Sequence, residues 1–555
     1  MAGRKDSYAS VREDSDVPQS FRVRRPTTDS ARPSISFPRR LRPFPLKRSV
    51  STDSNEEAIE DESEVSAHSS LEDLSIDENI QSEQPTSLES LPDEVLDMIF
   101  DRVQIDTTLE TYMRPQVDLF TLLVVSKKVH AAALRVMYRH VSVYKSKTFH
   151  KLTTAIEQDP ELGKLIHCLD LSHYSKMGYK WSSSQISSTP YLTRTTLRQM
   201  LTRTPQLKAF LTHEHVDGEL DTAVLETLFA IPSLRAVDFS GCTSALFTAA
   251  WAHLVSTKTS LRHLRRLCFH ECTTLKASVF ESILSQLEHV THLDLAHTAV
   301  TDRALFSIPT TARLTHLNLE RCTQISGASV VEFLMSHPAA STLVWLNLNA
   351  DASRYRLLDS RDLHDLLPRL PPTLKSLNLG GARTDATHVP DLRRLATHLE
   401  ELGLKGADLS LNSDITRILS LSTGKVDHPT WRHSLHYLDL TDIPSVTQMS
   451  LLYSPIDITT PSTSPLEVIE LSPKVLNDIT ASQKRAAKHC TFDWVVKENG
   501  RRGWYVRCPT SAAGQTPDDG YRSWKWGARW WGMRKIPVVR QEVSGMYGYF
   551  MFKRN

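Results

Sequence analysis

Between Leu91 and Val143 the apolar positions fall at helical spacing. Val95, Leu96, Ile99, Phe100 and Val103 form a broad stripe, Pro92 suits a first helical turn, and Asp93 and Glu94 sit where a helix N-terminus favours negative charge. After a polar link containing Pro115, Asp118 suits an N-cap and Leu119, Leu122, Leu123, Val129, Leu134 and Tyr138 resume the period. The pattern predicts a small bundle of short helices over 87–145.

Beyond the bundle the period changes to a repeat. "LxxLxL" recurs as "IHCLDL" (166–171), "LRAVDF" (234–239), "LRRLCF" (264–269), "VTHLDL" (290–295), "LTHLNL" (314–319), "LVWLNL" (343–348), "LKSLNL" (374–379), "LEELGL" (399–404), "LHYLDL" (435–440) and "LEVIEL" (466–471). Most copies are about 24 to 36 residues apart, the leucine-rich-repeat period once insertions are allowed. Each copy predicts a short strand, and segments such as "ASVVEFLMSHP" predict a covering helix. One repeat cannot bury its own apolar face, so 146–472 is expected to stack as an α/β leucine-rich-repeat solenoid with a curved parallel sheet inside and helices outside.

The flanks differ from both. Residues 1–86 are rich in Arg, Ser and Pro and then in Asp and Glu, with too few periodic apolar positions to offset chain entropy, so a disordered tail is expected. Within it Arg48 stands three residues before Ser51, a spacing that marks Ser51 as a candidate phosphorylation site, and "PRRLRPFPLKR" is a candidate nuclear import signal. Residues 473–555 concentrate Trp and Tyr, and "WVVKENGRRGWYV" predicts a hairpin turning at Asn499-Gly500. An open solenoid end exposes core, so this segment is expected to be a terminal cap.

Over 555 residues the formal net charge is +1, which gives no global attraction to nucleic acid or an anionic membrane. The longest apolar runs, such as "TLLVV" (121–125), fall short of a membrane span. Seven cysteines without CxxC pairs do not form a disulfide framework, and an intracellular location, cytoplasmic, nuclear or both, is expected. No "GxxxxGK[ST]", "HExxH" or "GxSxG" occurs, so no catalytic residue, metal or cofactor is assigned. Cys268, His270 and Cys272 tempt a metal assignment, but the repeat phase sends Cys272 inward and the other two to the opposite face.

The same phase defines a candidate binding surface. The residue between the last two apolar positions should face the concave side, giving a column with Asp294, Asn318, Asn347, Asn378 and Asp439. Two residues earlier stand His292, His316, Trp345 and Tyr437, groups suited to anchoring a partner. An acidic face of this kind favours a basic or hydrogen-bonding protein segment over a phosphate backbone.

The segment "LPDEVLDMIF" with "VDLFTLLVVSKKVHAAALRVMYRHVSV" resembles an F-box in its fungal form, and the chain as a whole resembles fungal F-box and leucine-rich-repeat proteins. Leu91 and Pro92 match the opening Leu-Pro, Glu94 the acidic position, Ile99 the helix face, and Leu122, Leu123 and Val125 the second helix. The link 104–117 is longer than usual, and Ser126 and Val129 stand where Cys and Trp are frequent. The resemblance implies a non-catalytic substrate receptor of an SCF-type cullin-RING ubiquitin ligase. It would dock on a Skp adaptor through Leu91, Pro92, Val95, Ile99, Leu122 and Leu123 and present a protein target on the repeats. The other reading is a scaffold whose bundle only caps the solenoid.

Overall fold

A computed structural model describes residues 88–104, 117–172, 174, 191–419, 432–452, 458–486, 493–499 and 502–507. The tail 1–86 with Ser51, and the aromatic stretch beyond Arg507, lie outside the described residues.

Three helices open the fold: α1 (Asp93–Gln104), α2 (Val117–Leu122) and α3 (Lys127–Arg139). Asp118 falls inside α2 rather than capping it. Ser126 caps α3, its side chain accepting from the Val129 amide at 3.3 Å. Leu96, Phe100, Leu119, Val129, Ala132, Ala133 and Val136 bury a core of their own, separate from that of the repeats. Across it Arg135 pairs with Asp97 at 3.0 Å, and Arg139 pairs with the same carboxylate at 2.8 Å.

α3 ends directly in the sheet. His140 is both its C-cap and the first residue of β1 (His140–Ser142), which pairs in parallel with β2 (Cys168–Asp170). The parallel series continues through β3 (Ala209–Leu211), β4 (Ala236–Asp238), β5 (Arg266–Cys268), β6 (His292–Asp294), β7 (His316–Asn318), β8 (Trp345–Asn347), β9 (Ser376–Asn378), β10 (Glu401–Gly403), β11 (Tyr437–Asp439) and β12 (Val468–Glu470). Sequential parallel neighbours, each reached over a helical or looped connection, make this a leucine-rich-repeat solenoid. The "LxxLxL" copies coincide with β2 and β4 to β12. The sheet holds two further parallel strands, β1 and β3, that the motif does not mark.

The middle residue of each strand and the one just after it point into a continuous core, as Leu293 and Leu295 do, against helices such as Gly327–Ser336. Cys242, Cys272 and Cys322 lie in that core, where Cys272 Sγ donates to Phe239 O and Cys322 Sγ to Leu295 O, both at 3.0 Å. Burial pushes the Cys322 thiol up to about 12, so it stays a protonated donor tying one repeat to the preceding one. Three residues past most strands the backbone turns left-handed, at Gly241, Gly381 and Gly406 and also at Glu271, His297, Arg321 and Asp442. The reason is a shared bond: Glu271 N donates to Ala296 O and His297 N to Glu320 O, so each turn is pinned to the next repeat.

At the far end β13 (Trp494–Asn499) and β14 (Arg502–Arg507) form the expected hairpin, and β14 adds antiparallel to β12. Trp494 Nε1 donates to Thr459 O at 2.7 Å, and the Arg507 guanidinium lies 4.7 Å from the Trp494 ring centre.

Candidate functional site

Two surfaces carry chemistry, and the first is on the helical bundle. Once its small core is filled, apolar side chains remain on its outside: Val95, Met98 and Ile99 on α1, and Phe120, Val124 and Val125 on and just after α2. Met98 is 69 % exposed and Val124 86 %. A six-residue α2 cannot turn every side chain of "LFTLLVV" inward, which leaves this surplus in water. Of the residues expected to bind an adaptor, Pro92, Val95 and Ile99 are exposed, whereas Leu91, Leu122 and Leu123 are half-buried against the bundle core. Met98, Phe120 and Val124 were missed; the apolar run 119–125, longer than one helix face, is the signal that points to them.

The second surface is the inner face of the sheet. Asp294, Asn318, Asn347, Asn378 and Asp439 are buried rather than open to solvent. Each accepts from the backbone amide two residues on: Ala296 N to Asp294 at 3.0 Å, Glu320 N to Asn318 at 3.1 Å, Asn349 N to Asn347 at 3.1 Å, Gly380 N to Asn378 at 3.0 Å, and Thr441 N to Asp439 at 2.8 Å. Strands of three residues leave the first turn amide without a strand partner, and a short Asx side chain supplies one. The column is therefore bonded to its own backbone.

Cross-links extend it sideways. Asn318 Nδ2 donates to Asp294 at 3.1 Å, and Glu320 receives Asn347 Nδ2 and Asn349 Nδ2, one on each oxygen, both at 2.9 Å. His270 Nδ1 lies 3.2 Å from Asp294; burial alone would lower this imidazole's pKa, but the facing carboxylate raises it. Asn347→Ala would remove a donor to Glu320 and the acceptor of the Asn349 backbone amide, and is expected to cost about 1–3 kcal/mol in urea unfolding.

The neighbouring column is a stack. His292 and His316 lie parallel with ring centres 4.1 Å apart, and Trp345 follows at 6.3 Å. Thr291 Oγ1 gives its proton to Arg265 O and Thr315 Oγ1 gives its proton to Thr291 O. Each hydroxyl also lies within hydrogen-bond reach of the adjacent ring Nδ1, at 2.9 Å for His292 and 3.0 Å for His316. Burial, and then the charge of Arg266, holds His316 at about 4, while burial, the neighbouring His316 and Arg266 hold His292 at about 2.

Trp345 and Tyr437, expected as anchors for a partner, are 3 % and 1 % exposed. Tyr437 OH donates to Glu470 at 2.5 Å and accepts from Trp504 Nε1 at 3.1 Å, so it joins the last repeats to the hairpin. Large side chains at the sheet's inner face pack against their neighbours instead of standing into water. Cys268 and His270 contact Ser240 and Asp294 respectively, while Cys272 lies in the core, so the three do not converge. Among the described residues no group of His, Cys, Asp and Glu is arranged to hold a metal, and no helix is long and apolar enough to cross a membrane.

No family model matches the chain. It is similar to F-box protein YLR352W of Saccharomyces cerevisiae, 26% identical over 379 residues that cover 60% of this chain and 46% of the yeast protein. The match thus spans less than half of that relative's length. Among solved structures, the leucine-rich repeat-containing protein LegL7 from Legionella pneumophila aligns with 44% of this chain and 78% of its own, at 14% identity and a TM-score of 0.28.

Proposed function

We propose that this protein is the substrate-recognition subunit of an SCF-type cullin-RING ubiquitin ligase, with the helical bundle docking on a Skp-type adaptor and the repeats holding a protein target. One observation carries the reading. The bundle keeps Val95, Met98, Ile99, Phe120, Val124 and Val125 in water after its own core is complete, in the part of the chain that resembles an F-box. An exposed apolar surface on helices suits a groove or helical face of a partner. Similarity to a yeast F-box protein supports the same assignment. The protein contributes proximity and orientation, and the covalent chemistry belongs to other subunits.

The half-buried Arg266, His292 and His316, at the middle of the inner face, are the proposed target contacts. The buried Asp and Asn column lies beside them, two residues on along the same strands. A second reading rests on the direct passage of α3 into β1, which suits a bundle that merely caps the first repeat of an interaction scaffold.

Adaptor capture by the full chain separates the two. The native protein is expected to retain a Skp-type adaptor, and Val124→Glu with Val125→Glu is expected to weaken retention at least about tenfold, a small fraction of what burying two charges in an apolar contact costs. Thermal unfolding should be unchanged, because both side chains already face water. Absence of retention by the native chain would refute the ligase reading and leave the scaffold.

A further inference from the structure

The residue just before each strand belongs to a row along one edge of the sheet, because its amide donates to the carbonyl of its counterpart one rung earlier. Lys208 N donates to His167 O at 2.7 Å, and Arg235 N to Lys208 O and Arg265 N to Arg235 O, both at 2.8 Å. On rungs β2 to β5 the row therefore reads His167, Lys208, Arg235, Arg265. Parallel strands lie about 4.8 Å apart, so these four positions span about 14 Å.

Further along, the same row is compensated. Before β9 and β10 Lys375 pairs with Glu400 at 3.3 Å, and before β11 and β12 His436 stands 3.9 Å from Glu467. Before β3, β4 and β5 three cations follow one another, and among the described residues none of them pairs with a carboxylate. Arg235 Nη1 donates instead to Pro232 O at 2.6 Å and Leu234 O at 2.7 Å, which fixes the side chain without neutralising it. The field reaches the flanking imidazoles. Burial and then the charge of Lys208 lower His167, burial and then the charge of Arg235 lower His263, and no Asp or Glu acts on either ring. Like charges on adjacent rungs repel, so the row is relieved by an opposite charge from outside.

The chemistry of that partner follows from the length of the row and from its neighbours. Three cations within about 10 Å suit a short run of carboxylates, which Arg meets in bidentate fashion. A nucleic acid draws its affinity from many phosphate contacts and from stacking, and Gln206 and Ser233 beside the row give no ring for a base.

We propose that the edge row Lys208, Arg235 and Arg265 is a docking surface for an acidic segment of a partner protein, an extended run of Asp and Glu meeting the three cations in turn. The surface lies outside the adaptor and target contacts proposed above and does not depend on them.

The test uses the full chain at low ionic strength, with a fluorescein-labelled peptide of alternating Glu and Ser as probe. Saturable binding is expected by anisotropy. Lys208→Glu with Arg265→Glu should weaken it at least about tenfold, and because both side chains are exposed the melting temperature should hold. Lys208→Gln with Arg265→Gln should weaken it about threefold, which keeps the result readable should the reversal unfold the chain. Lys375→Glu with Lys405→Glu makes the same change in net charge at cations that already have carboxylates, and should leave affinity within about twofold. Absence of binding by the native chain would overturn the proposal. So would equal losses in the two double reversals, which would place the peptide elsewhere, or tighter binding of single-stranded poly(U) RNA than of the peptide.

Discussion

Lowering the pH from about 6 to about 5 is expected to remove roughly 3 kcal/mol of folding stability, because the folded chain holds three histidines neutral. His292 is held at about 2, His316 at about 4, and His433 at about 4, the last by burial and then by the charge of His436. An unfolded histidine takes its proton near 6.5, so below that value the unfolded chain binds protons that the folded one refuses. Each such group contributes a slope of about 1.4 kcal/mol per pH unit between about 6.5 and its folded value. Glu401 runs the other way. Burial raises Glu401 well above the ordinary carboxyl range, so the folded state gains a proton there as pH falls and offsets about one histidine. His270 and His140 are raised, which gives stability that is complete below about 6.5 and lost only as pH rises through their folded values. They therefore add no slope in the acid window. Urea unfolding at several pH values checks the slope, and His316→Gln should reduce it by about 1.4 kcal/mol per unit. An unchanged slope in that variant would remove the stacked imidazoles from the account.

Phe269→Ala is expected to cost about 3–5 kcal/mol, the range for emptying a fully buried aromatic site. Phe269 is stacked on Phe239 at 6.0 Å and meets Trp251 and Phe280 edge-on at 5.1 and 5.7 Å, so its ring joins two successive repeats. Bulky neighbours on three sides cannot collapse into the space together. Because repeats contact only their neighbours, losing this joint should also split the array near β5 and broaden the urea transition. A single sharp transition shifted by less than about 1 kcal/mol would show that the site repacks.

The repeats were legible in the sequence wherever leucine or a close substitute filled all three slots of the motif. β3 escaped because Thr212 takes the last slot: it is fully buried and donates its hydroxyl to Asp238 O at 3.0 Å, a role no apolar count detects. β1 escaped for a different reason. "YRHVSV" fits the motif with Tyr138, Val141 and Val143, but Tyr138 and Arg139 finish α3, so the helical period hides the strand. The phase of the repeat identified the Asp and Asn column at the inner face. Its burial was not legible, since the amides it satisfies arise only once three-residue strands turn away. On the bundle the stripe of α1 was legible, and the division between Leu96 and Phe100 inside and Met98 and Ile99 outside depended on where α3 packs.

The seam between α3 and β1 has one further consequence. With no loop between Arg139 and His140, the rotational phase of the helix is locked to the pleat of the sheet. One residue more at this point would turn everything upstream by about 100° around the helix axis. The chain thus behaves as a fixed bracket: the direction in which Val124 and Val125 face, measured from the first rung of the solenoid, is set by residue count and leaves no swivel to be tuned.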